Sequence, residues 1–207
     1  MKVRTPLDAG LSVLDMELEA DAQEKLHRYL ALIAKWNKVH NLTAIRDPER
    51  MVTEHLLDSL AILPHVRPAR ILDVGSGAGL PGMPLAIVRP NWQVTLLDSS
   101  HKRCVFLRQA TIELDLVNVH VVCARIEEHR PEQLFDTVVS RAFAETQHFA
   151  RLAASQLAAG GLMLAMKGLY PHEEIAQLPP QVVLRDVVGI EVPGLGAQRH
   201  LVVMTVA

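Results

Sequence analysis

Three glycines behind a carboxylate, Asp73-Val74-Gly75-Ser76-Gly77-Ala78-Gly79, carry the densest chemical signal in this 207-residue chain. An apolar run precedes them and a helix-forming run follows. Glycine at such a junction permits a tight turn and lets a ligand approach the backbone. Asp98 ends the next apolar run, about 20 residues on, where a carboxylate can accept bonds from both hydroxyls of a ribose. Two ligand classes fit. Gly77-Ala78-Gly79-Leu80-Pro81-Gly82 has the GxGxxG spacing of a dinucleotide site. Gly75, Gly77 and Gly79 behind Asp73 have the acidic-GxGxG spacing of a loop that takes S-adenosylmethionine. A dinucleotide rests its pyrophosphate on the free N–H groups of the helix that follows. Pro81 and Pro84 fall in that first turn, and proline has no N–H. S-adenosylmethionine has no phosphate and carries a sulfonium cation, so it does not need those donors. The balance favours methyl transfer; a dinucleotide site and a purely structural turn are the alternatives.

Polar or glycine residues close the other apolar runs as well: Asp98-Ser99-Ser100, Arg125-Ile126-Glu127, Ser140-Arg141 and Lys167-Gly168. In an open α/β sheet the ligand lies outside the carboxyl ends of the strands. Arg141 follows a run expected to be central and buried, where an idle charge is costly. A functional role therefore outranks a structural ion pair, and Lys167 follows the same logic. Ser100 divides between capping a helix and touching a ligand. Glu127 divides between a first-turn helix carboxylate and a cofactor contact. Asp136 sits at the wrong end of its run and reads as structural. His40, His55 and His200 match no metal-ligand spacing, and Cys104 and Cys123 form no CxxC pair, so no metal site is expected. Both cysteines read as core residues.

The methyl acceptor follows by elimination. Carbon-5 of a pyrimidine needs a cysteine nucleophile, usually after proline, and neither cysteine follows proline. Exocyclic base amines are often served by an Asn/Asp-Pro-Pro-aromatic loop, but Ser140-Arg141-Ala142-Phe143 stands there. Metal-assisted transfer to a hydroxyl would want clustered carboxylates. An acceptor that is already nucleophilic remains, such as N7 of guanine, which has an in-plane lone pair and no proton to lose. The protein then need only hold it in line behind the methyl–sulfur bond. Lys38, Arg46, Lys102, Arg103, Lys167 and Arg199 are candidates to hold RNA phosphates, with Lys35 and Arg108 beside them. Phe143 could stack on a base, with core packing as its competing role.

These residues need a scaffold. The formal charge, 21 basic against 23 acidic residues, is −2 and excludes a strongly basic coat, so any RNA contact is local. Hydrophobic residues at 49% and charged residues at 21% fit an ordinary globular protein of this length. The first third reads as helical: Thr5-Pro6 and Asp47-Pro48 are N-cap signals, and Asp21 with Glu24 resembles a capping box. Leu26, Tyr29, Leu30, Ile33 and Trp36 form one helical face. From residue 69 onward short apolar runs alternate with helical stretches, the pattern of βαβ units. Strands are expected at 70–74, 93–98, 119–123, 135–140 and 162–166. Helices are expected at 81–88, 101–114, 127–130, 145–157 and 172–178. Two further runs, 181–192 and 200–206, read as an antiparallel hairpin. The division is 1–68, a helical extension, and 69–207, an α/β domain. No apolar run approaches the ~18 residues of a membrane span, and the first ten residues lack the apolar stretch of a signal peptide. Two distant cysteines fit a reducing compartment, so a cytoplasmic location is expected.

The chain resembles the glucose-inhibited division protein B family, the small-subunit ribosomal RNA methyltransferase G proteins. The resemblance rests on Trp36 through Arg46-Asp47-Pro48, His55-Leu56-Leu57-Asp58-Ser59-Leu60, Leu72 through Pro84, and Leu96-Leu97-Asp98-Ser99 with Lys102-Arg103. It extends through Arg125-Ile126-Glu127-Glu128, Ser140 through Ala144, Met166-Lys167-Gly168 and Arg199-His200-Leu201-Val202. It implies a class I, Rossmann-like fold: a mostly parallel seven-stranded sheet with a C-terminal antiparallel hairpin and an N-terminal helical extension. It also implies transfer of a methyl group from S-adenosylmethionine, leaving S-adenosylhomocysteine, to N7 of one guanine in the 16S rRNA decoding region of the small ribosomal subunit. By the resemblance, Gly75, Leu80, Ile126-Glu127 and Arg141 hold the cofactor; Gly77 and Asp98 join them on the loop argument. Ile126 stands where the family usually has valine, and Gln198 where an acidic residue is common. A monomer acting without a general base is the corresponding expectation.

Overall fold

A computed structural model describes residues 5–141, 143 and 145–207; Ala142 and Ala144 of the segment after Arg141 lie outside the described residues. Thr5 begins the helical region as expected. Its hydroxyl accepts from the Asp8 N–H while Asp8 caps the Thr5 N–H, a reciprocal box that starts α1 (Pro6–Val13). Helix α2 (Ala20–His40) buries Leu26, Tyr29, Leu30 and Ile33 along one face. Its N-cap is Glu19 without a side-chain bond, so the Asp21–Glu24 box does not form. Asp21 already lies inside the first turn, and its carboxylate pairs with Lys25 one turn on. Asn41, in the left-handed conformation, ends α2. Asp47 then accepts from the Glu49 and Arg50 N–H groups and starts α3 (Pro48–Met51). The helix widens into a π-helical stretch (Val52–Leu57) before closing as α4 (Asp58–Leu60). Such widened turns recur at functional sites.

The sheet region follows as β1 (Arg70–Val74), α5 (Gly82–Val88), β2 (Gln93–Asp98), α6 (His101–Glu113), β3 (Val119–Cys123) and β4 (Phe135–Arg141). It continues with α7 (Thr146–Ala153), β5 (Leu157–Lys167), α8 (His172–Ala176), β6 (Val182–Gly189) and β7 (His200–Val206). The strand order is β3-β2-β1-β4-β5-β7-β6. Strands β1 to β5 pair in parallel; β7 runs antiparallel to both β5 and β6. The expected hairpin is therefore present, with β7 inserted beside β5. Residues 126–128 form a turn, where a short helix was expected at 127–130; Ile126 is buried, and Pro131 disfavours helical backbone at the residue before it. Strand β5 begins five residues earlier than its apolar run suggests; Leu157 already pairs with Phe135, and the register shifts before pairing resumes at Leu162, past the glycines at 160 and 161.

From β1 the chain steps outward to β3 and then returns to β4 on the other side of β1. Open sheets bind ligands at such a reversal. Successive β1 side chains face opposite layers. Ile71 joins a core cluster containing Leu7, Leu26, Ile33, Leu56, Leu85 and Phe106, so helices from both ends of the division share one interior. Leu72 and Val74 join a second cluster with Val138, Phe149, Met163 and Val202. Each such fully buried side chain contributes about 1.5–3 kcal/mol. No described helix is long and apolar enough to cross a membrane.

Candidate active site

The glycine loop is held by side chains that a sequence pattern only partly reveals. Gly75, Gly77 and Gly79 all adopt positive φ, at 68°, 60° and 93°, where a side chain is strained. A Cβ on Gly75 would meet nothing within 4 Å, so that glycine faces open space. A Cβ on Gly82 would lie 2.4 Å from Leu96 and 2.8 Å from the Asp73 carboxylate, so this glycine seats α5 against the sheet.

Asp73 is fully buried, and its Oδ2 accepts from the Gly82 N–H at 2.9 Å. Its Oδ1 has no partner among the described residues. Burial pushes its pKa up to about 7, against the opposing pull of the Gly82 N–H and Arg141. The first turn of α5 has no donor left for an anion. Gly82 N–H is on Asp73, Met83 N–H is on the Gly79 carbonyl at 2.7 Å, and Pro84 has none. The expectation drawn from the two prolines is thus reinforced by a carboxylate lying where a pyrophosphate would have to sit.

From the helical region, Tyr29 reaches the loop. Its hydroxyl donates to the Ala78 carbonyl at 2.5 Å, and burial raises its pKa well above the ordinary value, so it stays a donor. Nothing in the sequence separates Tyr29 from the rest of its apolar stripe.

Asp98 is 3% exposed, and both oxygens are engaged. Oδ2 accepts from the Gly77 N–H at 2.9 Å and Oδ1 from the Ser100 N–H at 2.8 Å; Arg103 approaches Oδ2 at 3.4 Å. The carboxylate therefore fixes the loop to the start of α6, and a ribose would share lone pairs already in use. Ser100 occupies the N-cap of α6, but its hydroxyl makes no cap bond. Asp136 accepts from the Arg70 N–H, the structural role expected of it.

Two cavities open at the carboxyl ends of the strands. Gly75, Asp98, Ile126 and Glu127 share one of about 230 Å³, with Arg103 and Phe143. Phe143 packs against His148 and Phe149 there, at 5.6 and 5.7 Å between ring centres. Gly77 and Leu80 are not among the residues that line this cavity, and Leu80 is buried.

Arg141, Lys167 and Arg199 line a second cavity of about 390 Å³, together with Thr43, Glu54, His55 and Asp58 from the helical region. Arg141 and the four candidates Gly75, Asp98, Ile126 and Glu127 therefore line different cavities. Since β1 and β4 are neighbours, the two cavities flank the middle of one sheet edge.

Asp58 organises the larger cavity. It is 3% exposed, and it accepts from Arg141 at 3.1 Å on Oδ2 and from Arg199 at 2.9 Å on Oδ1. Arg141 also donates to the Glu54 carbonyl at 2.8 Å. The functional and structural readings of Arg141 are thus not exclusive. Lys167 pairs with Glu174 at 2.7 Å and donates to the Phe143 carbonyl. Burial pushes the Glu174 carboxyl upward, but hydrogen bonds from Lys167 and Thr146 outweigh it and hold the group below its ordinary value. His55 meets the Thr43 hydroxyl at 3.1 Å; burial, then Arg141, lower its pKa to about 4, so it is neutral. Asp58 sits inside a quoted motif, but its role is invisible until β4 and β7 bring the two arginines to it.

Of the six RNA candidates, Arg103, Lys167 and Arg199 are tied to carboxylates, while Lys38, Arg46 and Lys102 are exposed. Cys104 is buried and donates to the Asp98 carbonyl; burial pushes its thiol up to about 12, which makes it a core residue and not a nucleophile. Cys123, on edge strand β3, is only half-buried.

The GidB family model, described as rRNA small subunit methyltransferase G, matches residues 22–202. A protein named Ribosomal RNA small subunit methyltransferase G from Laribacter hongkongensis is 52% identical over 98% of both chains. One of the same name from Chromobacterium violaceum is 54% identical over 96% of this chain and 95% of its own. The crystal structure of TrmN from Thermus thermophilus superposes with a TM-score of 0.55 at 21% identity, over 72% of this chain and 47% of that one. The fold is that of the class I S-adenosylmethionine-dependent methyltransferases. The chain belongs to the rRNA small subunit methyltransferase G (GidB) family.

Proposed function

We propose that the chain transfers a methyl group from S-adenosylmethionine to N7 of one guanine in 16S rRNA of the small ribosomal subunit, as a cytoplasmic monomer. The observation that carries the cofactor is the fate of the α5 first-turn donors: all are consumed internally, so the site suits a nucleoside without phosphates. Gly75 leaves the approach open, Ile126 offers an apolar wall, and Glu127 and Asp98 offer polar groups beside it. Gly77, Leu80 and Arg141 complete the proposed set, Arg141 from the neighbouring cavity. When bound, the cofactor supplies an electrophilic methyl on a sulfonium.

The protein's part is positioning. N7 carries its own lone pair, so no side chain has to remove a proton, and the gain comes from holding the acceptor in line at near-attack distance. The larger cavity suits this because its charged groups are held in place by one another. Exposed Lys38, Arg46 and Lys102 are proposed to meet RNA phosphates, with Arg103, Lys167 and Arg199 acting nearer the site. The experiment is labelled-methyl transfer to small subunits, free 16S rRNA and small amines, followed by strand cleavage at 7-methylguanine. Label in RNA that is not cleavable there would refute N7; label only in amines would refute the rRNA substrate.

A further inference from the structure

Of the eight Phe, Trp and Tyr side chains, five are buried and Trp36 and Phe143 are half-buried; Tyr170 alone stands in the exposed range, at 41%. Leu169 beside it is 77% exposed. Neither supports the core, yet both follow directly on Lys167 and Gly168, which line the larger cavity. Tyr170 lies two residues past Gly168, at most about 7 Å of chain. It is also held in place. His172 packs against its ring at 4.2 Å between centres, and His200 meets it edge-on at 5.5 Å. His200 in turn contacts the Gly168 carbonyl at 3.2 Å, tying this connection to β7.

We propose that Tyr170, with His172, is a stacking platform for an unpaired nucleotide of the rRNA next to the one that enters the larger cavity. This rests on the rRNA reading above. Every base has a π face, and single-stranded RNA is commonly held by splayed bases stacked on aromatic side chains. A rigid, exposed ring at the rim of the acceptor cavity offers such a face at little further entropic cost. Continuity with that cavity, whose rim carries Arg199 and Lys167, selects RNA over another apolar partner.

The test uses the full chain with S-adenosylhomocysteine bound, and Tyr170→Ala, Tyr170→Phe and Tyr170→Trp. Anisotropy with a labelled single-stranded RNA matching the target loop should show about tenfold weaker binding for Tyr170→Ala, within the usual range for one stacked base. Tyr170→Phe and Tyr170→Trp should stay within twofold of the parent. The added tryptophan should be quenched by RNA, beyond any change of Trp36 and Trp92 in the parent. On small subunits, KM for Tyr170→Ala should rise with kcat within twofold and cofactor affinity unchanged. RNA binding by Tyr170→Ala equal to the parent, or Tyr170→Phe as weak as Tyr170→Ala, would overturn the platform. A KM defect on subunits without a defect on RNA would also overturn it, in favour of a ribosomal-protein contact. Absence of any methyl transfer to RNA by the parent would instead defeat the rRNA reading itself.

Discussion

Replacing Tyr29 by phenylalanine deletes one buried oxygen and leaves the ring in place. The hydroxyl it removes donates to the Ala78 carbonyl at 2.5 Å, in the middle of the glycine loop. Ala78 is 5% exposed, and no other described donor reaches its carbonyl, so the variant leaves a buried acceptor bare. That costs about 1–3 kcal/mol. On either side the Gly77 N–H is held by Asp98 and the Gly79 N–H by the Ser76 carbonyl, so Tyr29 supplies the tie at Ala78 between them. Part of the cost should therefore appear as lost preorganisation of the cofactor site, with about 1.4 kcal/mol corresponding to tenfold in affinity. Urea unfolding should show a lower midpoint at constant slope. Titration calorimetry should show S-adenosylmethionine binding weakened by roughly three- to tenfold on the same conversion. At saturating cofactor, kcat should stay within twofold. A destabilised variant with unchanged cofactor affinity would mean that the strut serves the fold alone, and a variant unchanged in both would refute the reasoning.

Gly82→Ala should destabilise by about 1–3 kcal/mol, since its Cβ would overlap Leu96 and the Asp73 carboxylate; thermal unfolding no lower than the parent's would contradict the close seat of α5. Asp58→Ala should cost about 2 kcal/mol or more, discounted from the fully buried case because Arg141 and Arg199 are a quarter exposed; denaturant titration checks this, and a neutral result would mean that the arginines find water instead. Two buried groups should give opposing pH slopes. His55 is depressed to about 4, so its contribution is complete above an ordinary pKa of ~6.5 and is lost as pH falls from there toward 4. Asp73 is raised to about 7, so its carboxyl favours the folded state increasingly as pH falls from 7 toward 4. His55→Gln should therefore raise the acid end of the stability–pH profile relative to neutral pH, and Asp73→Asn should lower it; slopes that do not move in opposite directions would contradict the assignment.

Much of this site is legible from short-range pattern. The glycine loop, Asp98 and the polar strand ends are set by local geometry: a tight turn needs glycine, and a ligand edge needs residues just past each strand. Capping at Thr5 and Asp47 is legible for the same reason, because donor and acceptor lie within three residues. Asp21 shows the limit, since a neighbouring start at Glu19 moves it inside the helix, where it pairs with Lys25. Tyr29, 49 residues from Ala78, and Asp58, 83 and 141 residues from its arginines, depend on tertiary packing that no local spacing encodes. Separating Arg141 from the Asp98 pocket also requires knowing that β4 lies beside β1 and not beside β3.

The same long-range contacts change what the helical region is for. A module that only docked RNA could pack on the sheet through apolar faces and leave the site's polar groups to the sheet itself. Here it supplies the donor for Ala78, the carboxylate between Arg141 and Arg199, and the Glu54 carbonyl that holds Arg141. Two guanidiniums facing one cavity without Asp58 would repel each other and any sulfonium nearby. One carboxylate between them halves that charge and fixes both in orientation, with one oxygen for each. The π-helical widening at Val52–Leu57 lies immediately before Asp58, in the segment that carries Glu54 and His55 into the same cavity. On the function proposed above, a sheet that positions the cofactor and a helical region that finishes the acceptor cavity would act together, and Asp58 is where they meet, paired with Arg141 of β4 and with Arg199.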